Sequence, residues 1–221
     1  NAENRGTGAL SITTTGTTTG TVGAGIGAII TNTASTGDLT INAATTTGGN
    51  YGIFAVNIGT GALSITTTGT ITGNGTINAN SGIFAKINNT ASTGDLTINA
   101  ATTTGGNYGI TADNRGTGAL SITTTGTTTG TNNDGINAYN SSVGTSLTIN
   151  AATTTGGTSG IYADNKGTGA LSITTTGDTT GGADFGGIDA FNKGTSLTIE
   201  AATTTGGDFG ISAENFGTGA L

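Results

Sequence analysis

A glycine-isoleucine step opens a G-I-x-A segment again and again along this chain, at Ile26, Ile53, Ile83, Ile110, Ile136, Ile161, Ile188 and Ile211. The steps average about 26 residues, a period that marks stacked-repeat architectures. A second anchor, L-x-I, falls between them at Leu10, Leu39, Leu63, Leu96, Leu120, Leu147, Leu171 and Leu197. The distance between anchors wanders by a few residues while both anchors persist. A coil with variable corners behaves this way, each turn lying on the one before it and contacting only its neighbours.

Composition first has to be reconciled with a folded chain. Of 221 residues, 43 are Gly and 55 are Thr. Leu, Ile, Val and Phe together make up only about 18%, a share usually associated with disorder. Two properties argue the other way. Only 8% of residues are charged, and the apolar residues keep a fixed phase that solvated low-complexity tracts lack. Thr and Ile favour strands, and Gly favours the corners between them.

The sequence therefore predicts one segment over residues 1–221. It opens on N-A-E-N-R-G-T-G-A-L and closes on S-A-E-N-F-G-T-G-A-L, the same phase of the repeat. Neither stretch resembles the polar cap that solenoids use for solubility. The matching phase leads us to expect a slice of a longer array, or a subunit that stacks end to end in an open assembly. The second case predicts rods or filaments under electron microscopy. A net charge of -7 disfavours nucleic acid and anionic membranes as partners. No apolar run is long enough for membrane insertion. The absence of Cys suits export in an unfolded state as well as a reducing compartment.

One coil can be read residue by residue from Ile110. Strand side chains alternate between faces, so Ile110, Ala112 and Asn114 share one face and Thr111 and Asp113 the other. The first set varies little along the chain and the second varies freely, which places the first set inside. The next strand puts Leu120, Ile122 and Thr124 inside. The third is T-T-T, and the variant Thr70-Ile71-Thr72 shows its phase: the centre faces the core and the flanking threonines face solvent. Three short strands with glycine corners, paired in parallel with the next coil, make an all-β parallel β-helix (a β-solenoid). About eight three-strand coils, each rising about 4.8 Å, give a rod on the order of 40 Å long.

Asparagine closes the first strand at Asn4, Asn57, Asn114, Asn140, Asn165, Asn192 and Asn215. Its amide is suited to bond its own turn and the Asn of the next coil. Ile30 and Ile87 take that phase in two coils, each before a longer corner, T-A-S-T-G-D-L, where the strand is expected to run on before turning. G-A-L-S-I-T-T-T-G coils also alternate with L-T-I-x-A-A-T-T-T-G-G coils, so the sequence unit is a pair of coils.

Catalysis has few groups to use. There is no His or Cys to act as base, nucleophile or soft metal ligand. Asp38 and Asp95 share a phase but lie two coils apart, roughly 10 Å, and are read as solvated surface. Glu3, Asp113, Asp164 and Glu214 recur at one outward position, mostly two residues before Arg5, Arg115 or Lys166, a spacing for weak surface ion pairs. No enzyme activity, cofactor or metal is expected.

Two outward features remain as candidate contact sites. The first is aromatic: Phe54, Phe84, Tyr139, Tyr162 and Phe191 take outward positions of the first strand, where exposed rings can mark a contact surface. The second is a T-x-T row: Thr17/Thr19, Thr45/Thr47, Thr70/Thr72, Thr102/Thr104, Thr127/Thr129, Thr153/Thr155 and Thr203/Thr205, with Asp178 replacing the first threonine in one coil. Stacked, this row resembles the ice-binding face of β-solenoid antifreeze proteins. Duplication of a Thr-rich coil would produce the same row.

The chain as a whole resembles the passenger regions of Gram-negative autotransporters (type V secretion). The likeness is carried by segments such as Gly109 to Gly130 and Gly160 to Gly181, of the form G-I-x-A-x-N-x-G-T-G-x-L-x-I-T-T-T-G-x-x-T-G. The resemblance implies a right-handed, three-faced β-helix, secretion across the outer membrane, and display on or release from the cell surface. The expected function is a non-enzymatic extracellular adhesin stalk or passenger. Its expected partners are a host or biofilm glycan or protein. The alternatives are a self-assembling extracellular fibre and an ice binder using the Thr-x-Thr face.

Overall fold

The computed structural model describes residues 1–76 and 80–221, and every regular element among them is a β-strand. The strands sort into three parallel sheets of nine, eight and eight strands. Successive strands of a coil enter sheet A, sheet B and sheet C in turn, as Tyr108–Asn114, Leu120–Thr124 and Thr128–Gly130 do. Each strand within a sheet pairs with the equivalent strand of the coil before and the coil after, and the strand at each end of a sheet with one of them. Ile83 lies between Ile53 and Ile110, and Leu96 between Leu63 and Leu120. The fold is the β-solenoid that the two anchors require.

The core is a set of like-on-like columns. Ile53, Ile83, Ile110, Ile136, Ile161 and Ile188 are fully buried in one, and the Leu and Ile of sheet B fill two more. The Ala column of sheet A is equally buried and uniformly small, from Ala28 to Ala190, which brings the walls of the coil close together. Fully burying an Ile or Leu contributes roughly 1.5–3 kcal/mol, and only the stack provides that burial. Ile71 is buried with Thr70 and Thr72 outward, and Thr124 points inward, as the sequence predicts.

The centre of the T-T-T strand holds a column whose chemistry does not match its surroundings. Thr46, Thr103, Thr128, Thr154 and Thr179 are buried at the phase of Ile71, and none of their hydroxyls has a hydrogen-bond partner. A buried unsatisfied hydroxyl costs roughly 1–3 kcal/mol. Ile71 shows that the position accepts a larger apolar group. Thr128→Val is therefore expected to stabilise the chain by about 1 kcal/mol, measured as a higher urea midpoint. A lower midpoint would mean that the hydroxyl is bonded in solution.

The two-coil alternation has a physical basis at the corner between sheets B and C. The Thr67 hydroxyl of one coil accepts the backbone N–H of Ala101 in the next at 3.1 Å. Thr124 does the same for Ala152, and Thr175 for Ala202, each at 3.3 Å. Thr67, Thr124 and Thr175 thus each supply an acceptor to the tighter A-A-T corner that follows, whereas the equivalent Thr14 hydroxyl of the first coil has no partner.

At the corner between sheets A and B the asparagines form the expected ladder. Asn114 Nδ2 donates to Asn140 Oδ1 at 2.9 Å, Asn140 to Asn165 at 2.9 Å, Asn165 to Asn192 at 2.8 Å, and Asn192 to Asn215 at 2.9 Å. Each amide also ties its own turn, as Asn57 does by donating to the Gly61 carbonyl and accepting from Gly59 N–H.

The longer corners differ from expectation. Their strands do not run on; they end at Ile30 and Ile87, in register with Asn57 and Asn114. The extra residues form a turn in which Ser35 N–H donates to the Asn32 carbonyl, and Ser92 N–H to that of Asn89. The fully buried Ser35 and Ser92 then take over the missing amide's role. Ser35 Oγ donates to Thr7 O and Gly8 O in the preceding coil, and Ser92 Oγ to Thr60 O and Gly61 O.

Candidate functional site

The three outer faces of the rod differ in chemistry. All ten aromatic residues and all five basic residues lie in sheet A strands or in the corners that adjoin them. The outward positions of sheets B and C hold almost only Ser, Thr and Asn, with Glu200 and Asp178 as the charged exceptions.

On sheet A, parallel register decides which aromatics meet. Phe54 and Phe84 are direct partners on consecutive coils, and their rings stack with centres 5.1 Å apart and nearly parallel planes, 8° between them. Tyr51, from the corner preceding Phe54, closes the group at 5.1 Å from Phe54 and 5.8 Å from Phe84. Partial burial raises the Tyr51 phenol above its ordinary pKa. Sequence reasoning missed Tyr51. Strict alternation assigns the residue two before Ile53 to the core side, whereas the bend at the glycine corner turns it outward.

The other three candidates form a second group farther along the rod. Tyr139 pairs with Asp164, which pairs with Phe191, while Tyr162 lies in the neighbouring column between Asn137 and Asp189. Tyr162 and Phe191 approach to 5.7 Å, and Lys166 Nζ sits 4.9 Å from the centre of the Tyr139 ring. The Tyr162 phenol is raised above its ordinary pKa, by burial first and then by Asp164, Asp134 and Asp189, with Lys166 opposing. Asp134 is held by its own neighbours: its Oδ2 accepts from Asn137 Nδ2 at 2.7 Å, and its Oδ1 from Ser159 N–H at 3.1 Å.

A groove of about 400 Å³ opens beside the first group, lined by Asn1, Gly23, Ala24, Gly27, Ile29, Asn50, Tyr51 and Phe54. Gly27 takes the column position directly before Phe54. The ring stack therefore ends at a position with no side chain of its own, and the Asn1 amide leans over it, its Oδ1 2.6 Å from where a Cβ on Gly27 would stand.

The expected surface ion pairs form: Arg5–Glu3 at 2.9 Å, Arg115–Asp113 at 3.0 Å and Lys166–Asp164 at 3.3 Å. Lys86 adds a second partner to Asp113 at 2.9 Å from the adjacent coil. Asp38 and Asp95 are not simply solvated. Asp38 Oδ1 accepts the N–H of Ala62 at 2.8 Å, and Asp95 Oδ1 that of Ala119 at 2.7 Å, so each caps a corner of the following coil. Among the described residues no three His, Cys, Asp or Glu gather as a metal-binding group.

The T-x-T row lies on sheet C. Its second column is Thr19, Thr47, Thr72, Thr104, Thr129, Thr155, Thr180 and Thr205, each paired in register with the next. The first column is joined through the backbone, as in Thr103 N–H to Thr127 O and Thr128 N–H to Thr153 O, both 2.9 Å. It is less even than its partner. A Cβ on Gly69, Gly126 or Gly177 would press on the hydroxyl of Thr45, Thr102 or Thr153, so alternate threonines are half covered by the next corner. Sheet B carries a further hydroxyl column in which Ser and Thr alternate, Ser64, Thr97, Ser121, Thr148 and Ser172 among them. The L-S-I and L-T-I variants of the second anchor are its signal in the sequence.

No family model, curated protein or solved structure matches this chain.

Proposed function

We propose that this chain is a non-enzymatic β-helical stalk of an extracellular adhesin, of the autotransporter-passenger kind, displayed at the surface of a Gram-negative cell. Sheet A would make the contact, with a host or biofilm surface as the partner. The observation that carries this reading is the one-sided placement of every aromatic and basic residue on sheet A and its corners. Aromatic and arginine side chains are the groups that contact surfaces favour, while hydroxyl faces stay hydrated. Stacked coils with parallel pairing along their length supply the stiffness that holds such a face away from a cell. Beads coated with the chain are expected to adhere to epithelial cells or biofilm matrix, and Phe54→Ala with Phe84→Ala to remove at least half of that adherence. Adherence unchanged by the double substitution would defeat the reading.

One observation favours a second reading, ice binding by sheet C. Its eight-threonine column keeps register through every coil. Together with the first column it presents methyls and hydroxyls about 4.8 Å apart along the rod and about 6.6 Å apart across it. A bulky residue at Thr127 or Thr153, such as Thr127→Tyr, is expected to abolish thermal hysteresis. Absence of hysteresis in the unsubstituted chain eliminates this reading.

A further inference from the structure

We infer that the groove at the Asn140 corner binds a carboxylate-bearing sugar residue of a surface glycan, an inference that rests on sheet A and its corners being the contact face. Six corners after sheet A strands share one pattern, an Asn, a single residue and then Gly-Thr, as in Asn114-Arg115-Gly116-Thr117. The single residue is Arg5, Ile58, Arg115, Lys166, Lys193 or Phe216, large in every case. After Asn140 it is replaced by Ser141-Ser142-Val143. Arg115, Ser141, Lys166 and Lys193 lie on four consecutive coils, each N–H donating to a carbonyl of the coil before. Ser141 therefore stands between two cations where the column elsewhere carries a long side chain. A groove of about 260 Å³ opens there, lined by Thr90, Arg115, Tyr139, Ser141, Ser142 and Val143.

Charge decides which ligand suits it. Over five coils the two outward columns beside this corner hold Lys86, Arg115, Lys166 and Lys193 against only Asp113 and Asp164. That is a positive strip on a chain of net charge -7. Arg115 reaches the groove with part of its guanidinium unused. Its Nε donates to Asp113 Oδ2 at 3.0 Å, while Nη1 and Nη2 make no hydrogen bond among the described residues. Arg5, at the same sequence spacing, engages Glu3 through Nε and Nη2 together. Lys86 Nζ also pairs with Asp113 at 2.9 Å, so the Arg115 terminal nitrogens can take a second carboxylate, the planar group that they fit. The Ser141 Oγ is shielded from solvent and has no partner, so a turn about χ1 toward the ligand breaks no bond. Tyr139, with Lys166 Nζ 4.9 Å from its ring centre, and the 45% exposed Val143 offer apolar surface to the C–H face of a pyranose. Thr90 and Ser142 bring hydroxyls that suit the sugar's own. An acidic peptide has less to hold it, because the sheet A strands here are paired on both sides and offer no edge to its backbone. A densely sulfated chain would carry further charges past the groove onto a rod whose net charge repels them.

The test is saturation-transfer NMR and calorimetry with a glucuronate-terminated trisaccharide, a sialyl trisaccharide, the carboxyl methyl ester of each, heparin and an aspartate-rich peptide. At least one carboxylated trisaccharide is expected to bind, more weakly as salt is added, and its methyl ester at least tenfold more weakly. Arg115→Gln, which leaves Asp113 paired with Lys86, is expected to weaken binding at least tenfold. Ser141→Ile is expected to do the same, because it keeps every charge and fills the groove with a residue native to this column at Ile58. Arg5→Gln, which removes a similar ion pair away from the groove, is expected to leave binding unchanged. Unchanged circular dichroism and urea midpoints establish that the variants remain folded. The inference is overturned if neither carboxylated trisaccharide binds, if the methyl esters bind as well as the acids, or if heparin or the peptide binds more tightly than both. It is also overturned if Ser141→Ile binds like the parent, which would mean diffuse charge attraction. Bead adherence separates this result from the broader reading. Ser141→Ile beads that adhere like the parent, with no acidic sugar bound by either, remove the groove and leave the contact face standing. Adherence insensitive to Phe54→Ala with Phe84→Ala counts against the broader reading alone, since calorimetry reads the groove directly.

Discussion

Gly105→Ala is expected to destabilise the rod by about 3 kcal/mol or more. Gly105 ends a sheet C strand at the corner leading back to sheet A. A methyl there would fall deep inside the van der Waals radius of the Tyr108 carbonyl oxygen and 2.8 Å from the Gly82 nitrogen. Both obstacles are backbone, so neither can rotate away. None of the described glycines has a positive φ, which means that the corner needs glycine for space and not for backbone handedness. Admitting the methyl would open the corner and pull Gly105 out of register with Gly73 and Gly130. Because each coil is held by its neighbours, the damage spreads to the coils on either side. Gly126→Ala is the comparison: its closest contact is the Thr102 hydroxyl, on a side chain that can turn, and the nearest backbone atoms, Thr102 N and Ala101 C, stand at 3.2 and 3.3 Å, so it should cost clearly less than Gly105→Ala, about 1–2 kcal/mol. Urea midpoints of the two variants check the comparison, and equal losses would remove the steric account.

The same corners mark the limit of what the sequence reveals. Within strands, alternation has one answer: Ile71 had to face inward and Thr72 outward, and the Asn114 amide had to meet its counterparts in adjacent coils. At a corner alternation fails, because the bend reorients side chains according to how closely two backbones approach. Tyr51 was unreadable for this reason, although it completes the aromatic group with Phe54 and Phe84. Ser35 and Ser92 were obscured differently. Their partners are carbonyls of the preceding coil, some 28 to 32 residues away in the chain, and no local pattern in T-A-S-T-G-D-L identifies them. The end of the ring stack also depends on register, since only the pairing of Gly27 with Phe54 places a residue without a side chain beside the last phenylalanine.

Asn140→Ile should be the other strongly destabilising change, at about 3 kcal/mol. Isoleucine is a native residue at this phase, in Ile30 and Ile87, and both are fully buried without distorting their strands. Size and polarity at the site are therefore not the obstacle. The difference lies in the turn that follows. Where the chain carries Ile, a buried serine supplies the hydrogen bonds to the neighbouring turn. After Asn140 the corner is Ser141 to Ser146, and the amide itself reaches Thr145 O at 3.2 Å and Ser146 O at 3.4 Å. Removing it strips one of two partners from Asn114 Nδ2, which keeps Gly118 O, and one of two from Asn165 Oδ1, which keeps Gly167 N–H. Both groups are buried, so water cannot replace what is lost. A break at Asn140 also falls within the uninterrupted stretch of the ladder, from Asn114 to Asn215, with coils on both sides depending on it. Hydrogen exchange is expected to show faster opening of the amides around Asn114 and Asn165, together with a lower urea midpoint. Ile87→Ala, measured in parallel, should instead show only the loss of a buried apolar group, about 2–5 kcal/mol, with the Ser92 turn still protected. If the turns at Asn114 and Asn165 stay protected in Asn140→Ile, the ladder is a consequence of coil stacking and not one of its causes.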